Sequence, residues 1–155
     1  MASVCERLEA SGLSVPDAAP PIGSYVPAVR AGGLVFTSGQ LPLLAGELLF
    51  TGVVGRDVGL QDAQDCARQC VLNALAAAAS VCQLDDVARV VKLVGYVASA
   101  ESFSAQPAVV NGASDVLVVA FGQAGRHARE AVGVEALPMG APVEISLILE
   151  LRQGA

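Results

Sequence analysis

Charge is scarce in this chain. Charged residues make up 15% of its 155 residues and hydrophobic residues 54%, whereas a soluble domain usually carries roughly 25% charged residues. Basic groups are fewer still. Lys92 is the only lysine, the arginines are scattered, and the formal net charge is -6. Binding a nucleic-acid backbone needs clustered lysine and arginine, so this balance argues against nucleic acid as a partner. The single histidine, His127, stands among four cysteines with no C-x-x-C pair, which leaves a metal without a ligand set. There is no P-loop, no dinucleotide fingerprint and no nucleophile elbow. Internal repeats and low-complexity segments are also missing. The N-terminal segment carries Glu6, Arg7 and Glu9 and no long apolar core, unlike a signal peptide. A cytoplasmic protein is expected, with Cys5, Cys66, Cys70 and Cys82 reduced and serving as small buried hydrophobes.

The missing charge needs a cause. A membrane span takes about 20 nearly uninterrupted apolar residues, and the long uncharged runs here are broken by Asn73, Ser80 and Gln83 or by glycines and prolines. Surface covered by other copies of the chain, as in a homo-oligomer, explains the composition better.

The pattern along the chain predicts a short helix over Glu6–Leu13, an extended leader through Pro21, and strands over Tyr25–Arg30 and Leu34–Ser38. A short strand over Leu48–Phe50 and a long, mostly buried helix over Leu60–Val81 follow. The apolar run of Val87–Ala98 reads as a strand. Asn111–Phe121 reads as a second helix, starting nearer Ser104. Ala131–Glu135 and Val143–Leu151 are expected to close the chain as a hairpin around Leu137–Pro142. One domain over 1–155, with 1–21 as helix and leader, is the expected organisation. The expected fold class is α+β, a mixed sheet with both helices on one face. Its other face is apolar too and needs its own cover.

Two residues stand out chemically. Arg129 offers a planar fork of donors suited to a carboxylate. Glu144 is a lone carboxylate in an apolar strand, where desolvation raises a carboxyl pKa and makes a proton carrier. Each has a plainer reading. Arg129 could pair with Glu130 or Glu135, and Glu144 could face solvent beside Ser146, Ile148 and Glu150. Tyr25 could be strand packing, and His127 a helix-terminal residue with no catalytic role.

The segments Ile22-Gly23-Ser24-Tyr25-Val26, Thr37-Ser38-Gly39-Gln40-Leu41-Pro42, Val110-Asn111, His127-Ala128-Arg129 and Leu137-Pro138 through Val143-Glu144-Ile145 together resemble the RidA/YjgF family. The match is collinear from about Ile22 to Leu151. The resemblance implies a chorismate-mutase-like fold and a homotrimer whose sheets form a central barrel, with sites in the clefts between subunits. It implies hydrolysis of reactive 2-imino acids to 2-oxo acids and ammonia. Arg129 then corresponds to the arginine that grips the substrate carboxylate, and Glu144 to the carboxyl group that activates water. Tyr25, Ser38, Gly39 and Asn111 correspond to residues lining the pocket. The chain departs from the family in three places. Ala131 stands where many members have cysteine, one residue is inserted between Asn111 and Arg129, and the leader is longer. A longer subgroup of the family fits best.

Imine hydrolysis requires no metal, cofactor or covalent nucleophile, only a held carboxylate, a placed water and a protonated leaving nitrogen. Two alternatives stay open: a non-catalytic trimer that binds small carboxylates or 2-oxo acids, and an endoribonuclease. In the expected hairpin, Arg129 lies roughly 20 Å from Glu144 at ~3.3 Å per residue. A pocket using both is therefore expected to take them from different subunits.

Overall fold

The structure is a computed structural model that describes residues 1–155. Five strands form one mixed sheet: β1 (Ala28–Ala31), β2 (Leu34–Thr37), β5 (Val87–Ala98), β6 (Ala128–Val134) and β7 (Val143–Leu151). Their order is β1-β2-β7-β5-β6. All neighbours are antiparallel except β5 and β6, which run parallel. A separate small hairpin joins β3 (Leu43–Leu44) to β4 (Glu47–Leu48). Its turn residues Ala45 and Gly46 both have positive φ, the turn geometry that matches strand twist.

Helix α2 (Leu60–Ala79) and helix α3 (Gln106–Phe121) both cover the sheet face made by Val35, Leu93, Val97, Ile145, Leu147 and Leu149. The α+β class with two helices on one face is thus the observed fold. Two glycines set how closely these layers meet. A Cβ on Gly112 would overlap the backbone carbonyl of Gln64, so α3 touches α2 where no side chain intervenes. A Cβ on Gly95 would sit 2.7 Å from Val110, so α3 rests on β5 there.

Helix α1 (Val4–Glu9) belongs to the same core. Ser3 and Glu6 form a reciprocal capping box, which satisfies two orphan donors of the first turn. The Val4 N–H donates to Asp85 Oδ1 at 2.7 Å, and Arg7 Nε donates to the Ala120 carbonyl at 2.7 Å. Val4 and Leu8 are buried in the main core.

Several expectations need correction. Strand β1 begins at Ala28, not Tyr25, because Pro27 has no N–H to give the ladder. Pro27 instead accepts from the Ser38 N–H at 2.8 Å, leaving Tyr25 outside the sheet. The short strand lies at Glu47–Leu48, where it pairs with an unforeseen partner. Strands β6 and β7 form no hairpin. Strand β5 lies between them, because α3 carries the chain across the sheet and returns it parallel to β5. The segment Gln106–Gly125 is, by length and composition, apolar enough to cross a membrane, contrary to the reading from its uncharged runs. It is a core helix followed by a 3-10 turn, with Val109, Val110, Ala113, Val116, Leu117 and Ala120 buried. Cys66 and Cys70 are buried as expected, but Cys5 is exposed. Burial pushes the Cys66 thiol up to about 12, which keeps it protonated.

Candidate functional site

Register decides where each chemical group points. Within the sheet Glu144 is the partner of Tyr96, and Arg129 is the partner of Leu93. Leu93 is fully buried beneath the helices, whereas Tyr96 is 38% exposed on the opposite face. Side chains alternate along a strand and paired residues share a face. Glu144 therefore lies on the open face and Arg129 on the helix face. Three positions and two strand spacings separate them, about 10 Å along the sheet and about 10 Å across it. Within one chain they share no pocket. This separation has a different origin from the expected hairpin: it comes from β5 standing between the two strands.

Glu144 lines a cavity of about 400 Å³. The leader supplies one wall through Pro20, Pro21, Ile22 and Tyr25, and the loop after β2 supplies another through Ser38 and Gly39. That loop is pinned beside Glu144 by two backbone bonds: Gln40 N–H donates to the Ile145 carbonyl at 2.8 Å, and Ile145 N–H donates back at 3.0 Å. A Cβ on Gly39 would overlap Glu144 Oε1, so any side chain there would displace the carboxyl from its place. The carboxyl thus lies directly on the Gly39 backbone. It is partly buried, and burial alone raises its pKa above the ordinary glutamate value. A carboxyl of this kind exchanges protons closer to neutrality. The Ser38 hydroxyl is already committed, donating to the Val26 carbonyl at 2.7 Å. Ser38 therefore ties the leader down and meets the cavity mainly as backbone. Tyr25 is 47% exposed at the cavity wall.

Arg129 and Asn111 form a second centre. Arg129 Nη1 donates to Asn111 Oδ1 at 2.7 Å and to Ser114 Oγ at 3.1 Å. Asn111 and Ser114 are three residues apart on α3, hence on one helix face. The extra residue before Arg129 does not separate Asn111 from it. Ser114 went unseen in the sequence, although its i, i+3 spacing from Asn111 was a usable signal. His127 is joined to the same group: its Nε2 lies 3.0 Å from Ser114 Oγ and its Nδ1 2.6 Å from the Gly125 carbonyl. Arg129 makes no ion pair with Glu130 or Glu135. Glu130 is held instead by Lys92 Nζ at 2.6 Å.

The arrangement offers two incomplete halves. One is a desolvated carboxyl in a largely apolar cavity, with no cation. The other is a held guanidinium, with no carboxyl group beside it and His127 reached only through Ser114. Arg89 and Arg126, distant in sequence, also meet at one groove with His127, but Glu150 lies in it too.

Comparison with known proteins bears on the whole chain. Residues 5–151 match the family described as "YjgF/chorismate_mutase-like, putative endoribonuclease". The chain is similar to Protein TCP17 of Trypanosoma cruzi, with 42% identity over 151 residues, 96% of this chain and 94% of that protein. It is similar to the crystal structure of Atu1372 from Agrobacterium tumefaciens, a protein of unknown function. Identity there is 44%, over 96% of this chain and 92% of that one, with a TM-score of 0.88. A third similarity is to E. coli TdcF, solved with bound serine, at 28% identity over 88% of this chain and 94% of that one, TM-score 0.61.

Proposed function

The chain belongs to the YjgF/RidA family, and on that premise we propose that it hydrolyses reactive 2-imino acids to 2-oxo acids and ammonia at sites between subunits of a homotrimer. The observation that carries this reading is the Glu144 carboxyl, set in a largely apolar cavity against Gly39 with its pKa raised by burial. Such a group takes a proton from water and returns it. Water adds to the carbon of the protonated imine as Glu144 accepts one water proton, giving a neutral carbinolamine. Glu144 returns that proton to nitrogen, the C–N bond breaks as ammonia leaves, and the carbinolamine hydroxyl gives its proton to Glu144 or solvent as the 2-oxo acid forms. Arg129 of a neighbouring subunit would hold the substrate carboxylate, with Asn111 steadying it. TdcF with bound serine is a relative that accommodates an amino carboxylate, which supports a small carboxylate as the ligand class. No step draws on a metal or cofactor. Reduced thiols and a cytoplasmic setting fit this chemistry.

The competing reading is a trimer that binds 2-oxo acids without turnover. An endoribonuclease is favoured less, because a net charge of -6 opposes a polyanionic strand. A coupled assay separates these readings. A threonine dehydratase generates 2-iminobutyrate in place, and ammonia release is followed with and without the protein. Wild type is expected to accelerate release, and Arg129→Ala to lose that acceleration by about 100-fold or more in kcat/KM. Imine decay unchanged by wild-type protein would favour the binding reading.

A further inference from the structure

Arg129 is braced from behind by groups that the reaction itself does not need. The chain of contacts has a definite direction. The Gly125 carbonyl can only accept, so His127 Nδ1 must carry the ring proton. In the neutral ring, Nε2 is then an acceptor, and the Ser114 hydroxyl donates to it across 3.0 Å. The Ser114 oxygen keeps lone pairs for Arg129 Nη1–H at 3.1 Å, while the same Nη1 donates to Asn111 Oδ1 at 2.7 Å. Both Nη1 hydrogens are thereby used. The contacts from α3 stop at Nη1, leaving Nε and Nη2 without a hydrogen-bond partner. The far end of the chain is also fixed. A Cβ on Gly125 would overlap the Leu117 carbonyl, so the turn that carries the Gly125 acceptor is pressed onto α3.

We propose that Ser114 and His127 are positioning residues that preset Arg129 through this relay, so that its Nε–Nη2 edge receives a carboxylate side-on. The proposal rests on the reading of Arg129 as the carboxylate clamp. Arginine is long and loses rotamer freedom when it binds; a guanidinium already oriented loses less. His127 supplies the acceptor that turns the Ser114 hydroxyl, and Ser114 then offers its oxygen to Arg129. Neither residue touches the reacting atoms.

Nitrogen-15 NMR on the full-length protein, labelled in histidine and arginine, tests the relay without any ligand. Wild type is expected to show His127 as the Nδ1–H tautomer and Arg129 with two resolved Nη signals. In His127→Ala those signals should move closer and broaden as the Ser114 brace loosens, leaving Asn111 as the firm partner of Nη1. His127→Gln, whose amide oxygen can replace Nε2 as acceptor, should keep them apart. Calorimetry with 2-oxobutyrate and kinetics with 2-iminobutyrate supply the second readout. His127→Ala and Ser114→Ala should each weaken binding and raise KM about tenfold with kcat within about twofold, and the double variant should lose no more than either alone. An Nε2–H tautomer in wild type would overturn the proposal, as would Arg129 signals in His127→Ala unchanged from wild type or equal losses in the Ala and Gln variants. Wild type that neither binds 2-oxobutyrate nor turns over the imine would sink the functional reading instead. The NMR result would still decide the relay.

Discussion

Glu144 touches Gly39 so closely that a side chain at 39 would push the carboxyl aside. Its carboxyl is partly buried against the glycine backbone at the cavity wall, and that burial raises its pKa above the ordinary glutamate value. The consequences for pH follow in sign. A carboxyl whose folded pKa exceeds its unfolded value contributes stability at low pH, and that contribution is lost as pH rises through the folded value. Glu144→Gln should therefore flatten the fall in chemical-denaturation midpoint that wild type shows above the ordinary glutamate pKa. The same substitution should lower kcat for imine hydrolysis by about 100-fold or more and remove the acid limb of the kcat profile. A variant that keeps the limb would assign the titrating group elsewhere. Glu144 was legible in the sequence because a carboxylate in an alternating apolar strand has few ways to avoid desolvation. Ser114 showed in the sequence only through its i, i+3 spacing from Asn111, because Arg129 and His127 reach it only once α3 lies over β6.

At the scale of elements, local pattern and long-range pairing divide cleanly. The apolar run of β5 marks the same residues in sequence and structure, Val87–Ala98, and α2 starts at Leu60 as its periodicity predicts. The partnership of β6 was misread, since two strands joined by eight residues look like a hairpin until a third strand is found between them. Pro138 and Pro142, which lack the N–H that ladder residues give, were the sequence's hint against tight pairing there. The crossover through α3 is what sends Arg129 to the helix face. It depends on the close approach of α3 to α2 at Gly112. Gly112→Ala would force a methyl group into the Gln64 carbonyl. It should destabilise the protein by about 1–3 kcal/mol, read as a lower urea midpoint with an unchanged slope. A wild-type midpoint would mean that the two helices separate easily and that the layer geometry is loosely set.

For the whole molecule, the two faces of the sheet carry different halves of the chemistry. The helix face is sealed by α2 and α3. The open face presents Val29, Phe36, Tyr96 and Val132, each between 38% and 51% exposed, together with Lys92, Glu130, Glu144 and Glu150. These exposed apolar side chains are the structural counterpart of the hydrophobic composition of the sequence. Covering it with copies of the chain is the proposed role of the trimer, and the same assembly would bring the Arg129 of one subunit to the Glu144 of another. Composition suggests assembly without showing how the site would use it. The separation of Arg129 from Glu144 within one chain lies in the strand order, which composition does not encode.

Subunit complementation tests the shared site most directly. Arg129→Ala and Glu144→Gln chains, each inactive alone, are unfolded, mixed in equal amounts and refolded together. In a ring of three, every mixed trimer contains one junction that joins an intact Glu144 to an intact Arg129. Random assembly should then restore about a quarter of the wild-type sites and of the wild-type imine hydrolysis. A mixture no more active than the separate variants, with mixed trimers present by native mass spectrometry, would contradict the account.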